Sequence, residues 1–197
     1  MILYALVLAA GTGARYGGGK LTAPWRDGVL IDGALRAAFA APAAGVVVVT
    51  GAGREAVQAA AHAFAERARQ AGRLSFVYAP DHAEGMAASL RAGVAALPDE
   101  ADGVLVFLGD MPLVPAAVAG ALARALEQGA LAAVPRFEGQ HGHPVAFARS
   151  LFSDLLALQG DRGARALLTS LGDRLATEPA DDPGVLLDVD RPDDLPA

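Results

Sequence analysis

Leu8-Ala9-Ala10-Gly11-Thr12-Gly13-Ala14-Arg15-Tyr16-Gly17-Gly18-Gly19-Lys20 puts five glycines and two cations into one segment without an acid. Glycine lets the backbone take φ > 0 and lets amide groups approach a ligand closely. Successive amides of this kind form a nest for an anion, and Arg15 and Lys20 add positive charge. The chemistry such a loop suits is the binding of a phosphate chain. Farther on, Leu108-Gly109-Asp110-Met111-Pro112 sets a carboxylate in a tight turn that closes an apolar run. Hard cations take oxygen ligands, and Mg²⁺ typically uses one or two carboxylates plus substrate phosphates. Beside the glycine loop, Asp110 reads as a metal ligand. Taken alone it reads equally as an Asp in a turn, or as a helix cap ahead of Pro115.

Two familiar phosphate motifs fail here. The dinucleotide fingerprint G-x-G-x-x-G fits Gly11 and Gly13, but position 16 is Tyr and the next glycine is Gly17. The acid expected after the second strand is also missing, since Thr50-Gly51 stands there. The Walker A pattern fails because Leu21 follows Lys20 and Ala14 holds the first glycine position. A plain flexible turn remains the simplest alternative, but it has no need of two cations among its glycines.

The pattern that fits is L-A-A-G-x-G-x-R-x-G-x-x-K-L. It resembles the loop of nucleotidyltransferases that use nucleoside triphosphates and release pyrophosphate, nearest to the molybdenum cofactor cytidylyltransferases and their guanylyltransferase relatives. Gly85-Met86-Ala87-Ala88-Ser89-Leu90-Arg91-Ala92-Gly93 resembles that family's G-M-x-x-S-L-x-x-G. The resemblance implies that Gly85, Met86 and Ser89 line the nucleotide site, whereas a helix start with an ordinary buried Met is the plainer reading. Gly142-His143-Pro144-Val145 resembles the family's G-H-P-V turn, which implies that His143 shapes the acceptor pocket as a hydrogen-bonding group. A purely structural His143 stays open. Zinc is hard to assemble from four His and no Cys.

Gly160-Asp161-Arg162-Gly163-Ala164-Arg165 resembles the G-D-x-G-A-R of the molybdenum-cofactor branch and narrows the acceptor. Arg165 can clamp a phosphate bidentately. Asp161 can cap a helix or accept hydrogen bonds from a pterin ring. Asp188-Val189-Asp190-Arg191-Pro192-Asp193-Asp194-Leu195 resembles the closing D-x-D-x-P-x-D-L. Alternation predicts Asp188 and Asp190 on one strand face. Asp190 is then the second carboxylate for the metal, and Asp193 and Asp194 begin a final helical turn. The resemblance runs from residue 2 to residue 195. It departs at Tyr16, where Met or Phe is expected, and at Val29, where Pro is expected.

These residues need a scaffold. Apolar runs of strand length lie at 2–9, 46–50, 74–79, 104–108 and 130–135, and continuous runs suit parallel strands buried on both faces. Segments of helical period follow at 54–71, 86–97, 115–128, 151–158 and 164–171. Their alternation predicts an α/β fold with a mainly parallel sheet. The resemblance implies a Rossmann-like three-layer sandwich, a single nucleotide-diphospho-sugar-transferase-like domain over 1–197. The hydrophobic share of 53% against 19% charged excludes a disordered chain. A net charge of −6 argues against a nucleic-acid binder. The apolar start lacks a positive n-region, and no run reaches a membrane span, so a cytoplasmic protein without a membrane or nucleic-acid partner is expected.

The implied reaction is the transfer of CMP from CTP to the phosphate of molybdopterin, with Mg²⁺ as cofactor. Lys20, Arg15 and Asp110 carry the chemistry. Leu8, Ala9, Ala10, Gly11, Gly13 and Gly109 hold the nucleotide, and the Ala10 methyl takes space that a purine would need. A recipient molybdoenzyme or its chaperone is the macromolecular partner. The alternatives are GTP as donor, a sugar or isoprenoid phosphate as acceptor, and a non-catalytic cofactor carrier.

Overall fold

The computed structural model describes residues 1–160 and 163–195. Its first strand, β1 (Leu3–Ala9), forms because an unbroken apolar run can be covered on both faces. A short hairpin follows, β2 (Pro24–Trp25) and β3 (Gly28–Val29). Then come α1 (Ile31–Ala40), β4 (Gly45–Thr50), α2 (Arg54–Arg67), β5 (Leu74–Tyr78), α3 (Met86–Ala95) and β6 (Gly103–Leu108). The remainder is α4 (Ala116–Glu127), β7 (Ala132–Phe137), β8 (Gln140–His141), β9 (Val145–Ala148), α5 (Phe152–Leu156), α6 (Arg165–Leu171) and β10 (Leu175–Pro179).

The strands order as β5-β4-β1-β6-β9-β7-β10, with β8 paired to β7. β1 pairs parallel with β4 and β6, β4 with β5, and β7 with β10. β9 is antiparallel to β6 and β7, and β8 to β7. Alternate residues serve opposite faces. Ala5, Val7, Val46, Val48, Leu105 and Phe107 pack with α1, α2 and α4. Leu6, Val47, Val49, Val104, Val106 and Phe147 pack on the other face with Leu90, Leu155 and Leu171 from α3, α5 and α6. The result is the expected three-layer α/β sandwich. Among the described residues no helix is long and apolar enough to cross a membrane.

The chain leaves β1 toward β4 and β5 on one side, then returns to β6 on the other. An open α/β sheet binds ligands at such a reversal, beyond the carboxyl ends of its strands. The loops standing there are 10–20 after β1 and 109–113 after β6.

Several elements differ from the sequence reading. Helix α1 has no counterpart in the sequence reading; it is ten residues long, carries Gly33 in its interior, and buries nearly every residue from Ile31 to Phe39. The sequence reading places no strand at β9 or β10, which are four and five residues long. Helix α2 stops at Arg67, and Arg69 takes a left-handed φ of 55° just beyond it. The segment 187–190 is irregular rather than a strand. Its Val189 amide donates to the Asp110 carbonyl at 3.0 Å instead of to a ladder partner. The last turn does form, as a 3₁₀ turn over Pro192–Asp194.

Candidate active site

The loop after β1 is mostly exposed. Gly13, Gly17, Gly18 and Gly19 all have φ between 60° and 96°, so the amides can face outward where a side chain would be strained. The amides of Gly11, Thr12 and Gly13 donate to no group among the described residues. They are free to meet an anion.

Lys20 ends the loop and turns inward, its side chain only 11% exposed. Its Nζ lies 2.7 Å from Asp110 Oδ2 and 3.7 Å from Asp190 Oδ1. Arg15 is the outer cation, 75% exposed, and its guanidinium donates to Asp190 Oδ2 at 2.6 Å. That hydrogen bond, helped by the Lys20 charge, holds the Asp190 carboxyl below its ordinary pKa. Asp188 is pushed the other way, first by partial burial and then by the charges of Asp110 and Asp190.

The turn that carries Asp110 is gripped from three sides. The Gly109 amide donates to the Leu8 carbonyl at 2.9 Å. A Cβ at Gly33 of α1 would collide with the Pro112 backbone, and one at Gly184 with the Leu113 carbonyl. Val189 ties the tail to Asp110 and so brings Asp190 to the loop. Asp110 itself stands two residues past the end of β6.

Two cavities flank these groups. One, of about 150 Å³, is lined by Leu8, Ala9, Gly11, Gly13, Lys20 and Asp110, with Ala52 and Gly53 just before α2 and Val57 in its first turn. The other, of about 630 Å³, is lined by Leu8, Met86, His143 and Arg165 and by apolar residues of β6, β7 and β9. Leu8 borders both. His143 is largely enclosed. Burial pushes its pKa below the ordinary histidine value, against the Asp110 charge and a hydrogen bond to the Val106 backbone.

The structure thus gathers Leu8, Ala9, Gly11, Gly13, Arg15, Lys20, Asp110 and Asp190 at one place, and Met86, His143 and Arg165 at another. Ala10 is 2% exposed and lines neither cavity. A Cβ on Gly51 would come 2.8 Å from that of Ala10, with His82 adjacent. The Ala10 methyl therefore packs into protein rather than into space for a base. Ser89 is 6% exposed on α3 and lines neither cavity. Gly85 and Gly109 shape turns. Asp161 lies outside the described residues. Sequence reasoning missed Thr12, which holds a variable position of the glycine loop, and the Ala52–Val57 wall and the clamping glycines Gly33 and Gly184, which sit in no recognisable motif.

Among the described residues no group of three or more His, Asp and Glu side chains is placed to hold a metal ion. Asp110 and Asp190 converge as a pair on one ammonium. A pair suffices for a divalent cation whose shell is completed by phosphate oxygens.

Comparison with known proteins agrees with this arrangement. The family model described as MobA-like NTP transferase domain matches residues 5–175. The molybdenum cofactor cytidylyltransferase of Escherichia coli (strain K12) is 25% identical over 191 residues, covering 96% of this chain and 92% of that protein. A crystal structure of the Mycobacterium sp. strain JC1 homolog of Mycobacterium tuberculosis Rv0371c superposes with a TM-score of 0.84 at 28% identity, covering 98% and 92% of the two chains. Rv0371c of Mycobacterium tuberculosis H37Rv, crystallised as a complex with manganese, gives 0.78 at 28% identity, covering 98% and 95%.

Proposed function

Since the chain belongs to the MobA-like NTP transferase domain family and is a nucleotidyltransferase, we propose that it moves CMP from CTP to the terminal phosphate of molybdopterin. The carrying observation is the contact of the two cavities at Leu8, with Lys20 and Asp110 on one side and Arg165 on the other. An acceptor phosphate and an α-phosphate can meet only at such a border. The small cavity and the open glycine amides suit the triphosphate. The larger one falls within the size range of ligand sites and sets apolar walls beside polar side chains. Leu90, Val106, Val134 and Phe147 suit the face of a flat ring. The cytidylyltransferase relative supports CTP as donor.

In the proposed reaction an acceptor phosphate oxygen attacks the α-phosphorus in line. The new P–O bond forms as the bond to pyrophosphate breaks. This chemistry needs positioning and charge neutralisation more than proton transfer. Lys20 swings from Asp110 to the α-phosphate, and Arg15 leaves Asp190 for the outer phosphates. Asp110 and Asp190 are then free to hold Mg²⁺, which would neutralise charge on the triphosphate. Arg165 orients the acceptor phosphate. Pyrophosphate release with each of the four NTPs, with and without molybdopterin, tests the proposal. Release that needs molybdopterin and is fastest with CTP is the expected result. Release with a sugar phosphate and none with molybdopterin would overturn it.

A further inference from the structure

Asp190 lies on an irregular segment, so no strand or helix fixes the direction of its carboxylate. Its ion pair with the exposed Arg15 is a weak tether, because a solvated pair holds its partners loosely. The preceding residue, Val189, is buried, and its amide is tied to Asp110. The Val189 side chain belongs to a third apolar cluster, apart from the two on the faces of the sheet. Trp25, Leu30 and Val189 form it, and Tyr16, Leu113 and Leu195 pack against them. Three of these residues mark the parts of the site. Tyr16 follows Arg15, Leu113 ends the turn that carries Asp110, and Val189 precedes Asp190.

Trp25 is the largest member of the cluster. It comes from the β2–β3 hairpin, whose two-residue strands pair with each other and with no strand of the main sheet. A hairpin that small does not hold itself together in water. Pro24, Arg26 and Asp27 are exposed, whereas Trp25 is buried, with the Arg26 guanidinium 4.3 Å from the centre of its ring. At the far end of the hairpin the Val29 amide and Arg67 both donate to Asp32. The hairpin is thus tied to α1 and α2 and presents one indole to the place where loop, turn and tail meet.

We propose that Trp25 is a positioning residue for nucleotidyl transfer, which sets Asp190 and Arg15 through the cluster that it shares with Val189 and Tyr16. The role rests on Asp190 being a ligand of the metal–triphosphate, and on no particular acceptor.

Amide hydrogen exchange in the free protein tests the placement without nucleotide. The Val189 amide donates to Asp110 and the Asp190 amide to Asp194, each at 3.0 Å. In Trp25→Ala both should exchange at least about tenfold faster, and the amides of β1 and β6 should not change, because only this segment opens. Trp25→Phe, which keeps an aromatic ring in the cluster, should restore most of the protection. Unchanged exchange at 189 and 190, or faster exchange throughout the sheet, would overturn the proposal. If Trp25→Ala does not fold, the smaller truncation Val189→Ala takes its place and the Asp190 amide decides.

Calorimetric titration with Mg²⁺, with CTP present and no acceptor, supplies the second arm. Trp25→Ala should weaken Mg²⁺ binding by about tenfold, the effect of losing a group that orients a metal ligand. In the Asp190→Asn background it should cause no further loss, since the ring acts through that carboxylate. Additive losses, or a lower Tm with unchanged Mg²⁺ affinity, would reduce Trp25 to packing and overturn the proposal. Absence of CTP binding in the wild type would refute the reading of the donor instead, and amide exchange would still decide the role of Trp25.

Discussion

Lys20 Nζ sits 2.7 Å from Asp110 Oδ2, so the cation proposed for the triphosphate and the carboxylate proposed for the metal neutralise each other. The pair is partly buried and is reached from the two loops at the sheet's reversal point. Asp190, at 3.7 Å, shares the same ammonium. Lys20→Ala should lower kcat/KM for CMP transfer by about 10²–10³-fold or more, the range for losing one preorganised charged donor. The fold should persist, because Lys20 contributes charge rather than core volume. Lys20→Arg should rescue poorly, since a planar fork is not a compact ammonium. Pyrophosphate release and circular dichroism on the same preparations check both halves.

The same geometry predicts that metal and nucleotide assist one another. Mg²⁺ alone must displace Lys20 from Asp110, and CTP alone must draw Lys20 from two carboxylates. Bound together, each relieves the other's cost, and the coupling is reciprocal. Calorimetric titration should find Mg²⁺ at least about fivefold tighter with CTP present. Asp110→Asn should abolish the coupling and Asp190→Asn weaken it, because Lys20 lies 2.7 Å from Asp110 but 3.7 Å from Asp190. Equal Mg²⁺ affinity with and without CTP in the wild type would count against the exchange.

Arg165 lines the cavity away from the glycine loop. Arg165→Ala should weaken molybdopterin binding by roughly 1.5–3 kcal/mol, which is about 10- to 150-fold. CTP affinity should hold. Separate titrations with the two ligands decide it, and loss of CTP binding alone would mean the two cavities have been assigned the wrong way round.

Gly33 packs α1 against the Pro112 backbone that carries the Asp110 turn. Gly33→Ala forces the two apart, and overpacking of this kind costs about 1–3 kcal/mol. Tm should fall by about 2–4 °C per kcal/mol for a chain of this size. Activity should fall further than stability explains, since Asp110 moves with its turn. Thermal melts compared with kcat at a temperature where both proteins are folded provide the check.

Asp32 is buried at the start of α1. It accepts a hydrogen bond from the Val29 amide at 3.4 Å and pairs with Arg67 at 2.7 Å. Burial nonetheless raises its pKa above 3.8, outweighing the Val29 bond and the Arg67 and Arg36 charges. A carboxyl whose pKa is higher folded than unfolded binds its proton more tightly in the native state. Its contribution is greatest in acid and is lost as pH rises through the folded value. The Tm of Asp32→Asn should therefore match or exceed that of the wild type near pH 7, and its advantage should shrink as pH is lowered toward about 4. A growing advantage in acid would show that the Arg67 pair, and not burial, dominates.

What the sequence determined by itself was local. The glycine loop, the apolar parallel strands and the Gly and Pro turn at Asp110 each follow from residue type and short spacing, because backbone freedom and strand burial are properties of neighbours in the chain. Only the tertiary structure decided which residues meet. Lys20 reaches Asp110 across 90 positions and Arg15 reaches Asp190 across 175, since the sheet order sets the first and last segments beside β6. It also turned the Ala10 methyl into the protein, buried Ser89 on α3, and joined Asp188 and Asp190 to the Asp110 turn rather than to a strand. Helix α1 was missed for a related reason. Ten residues with Gly33 in the middle make a weak local signal, and its role in seating Asp110 exists only once Gly33 lies against Pro112.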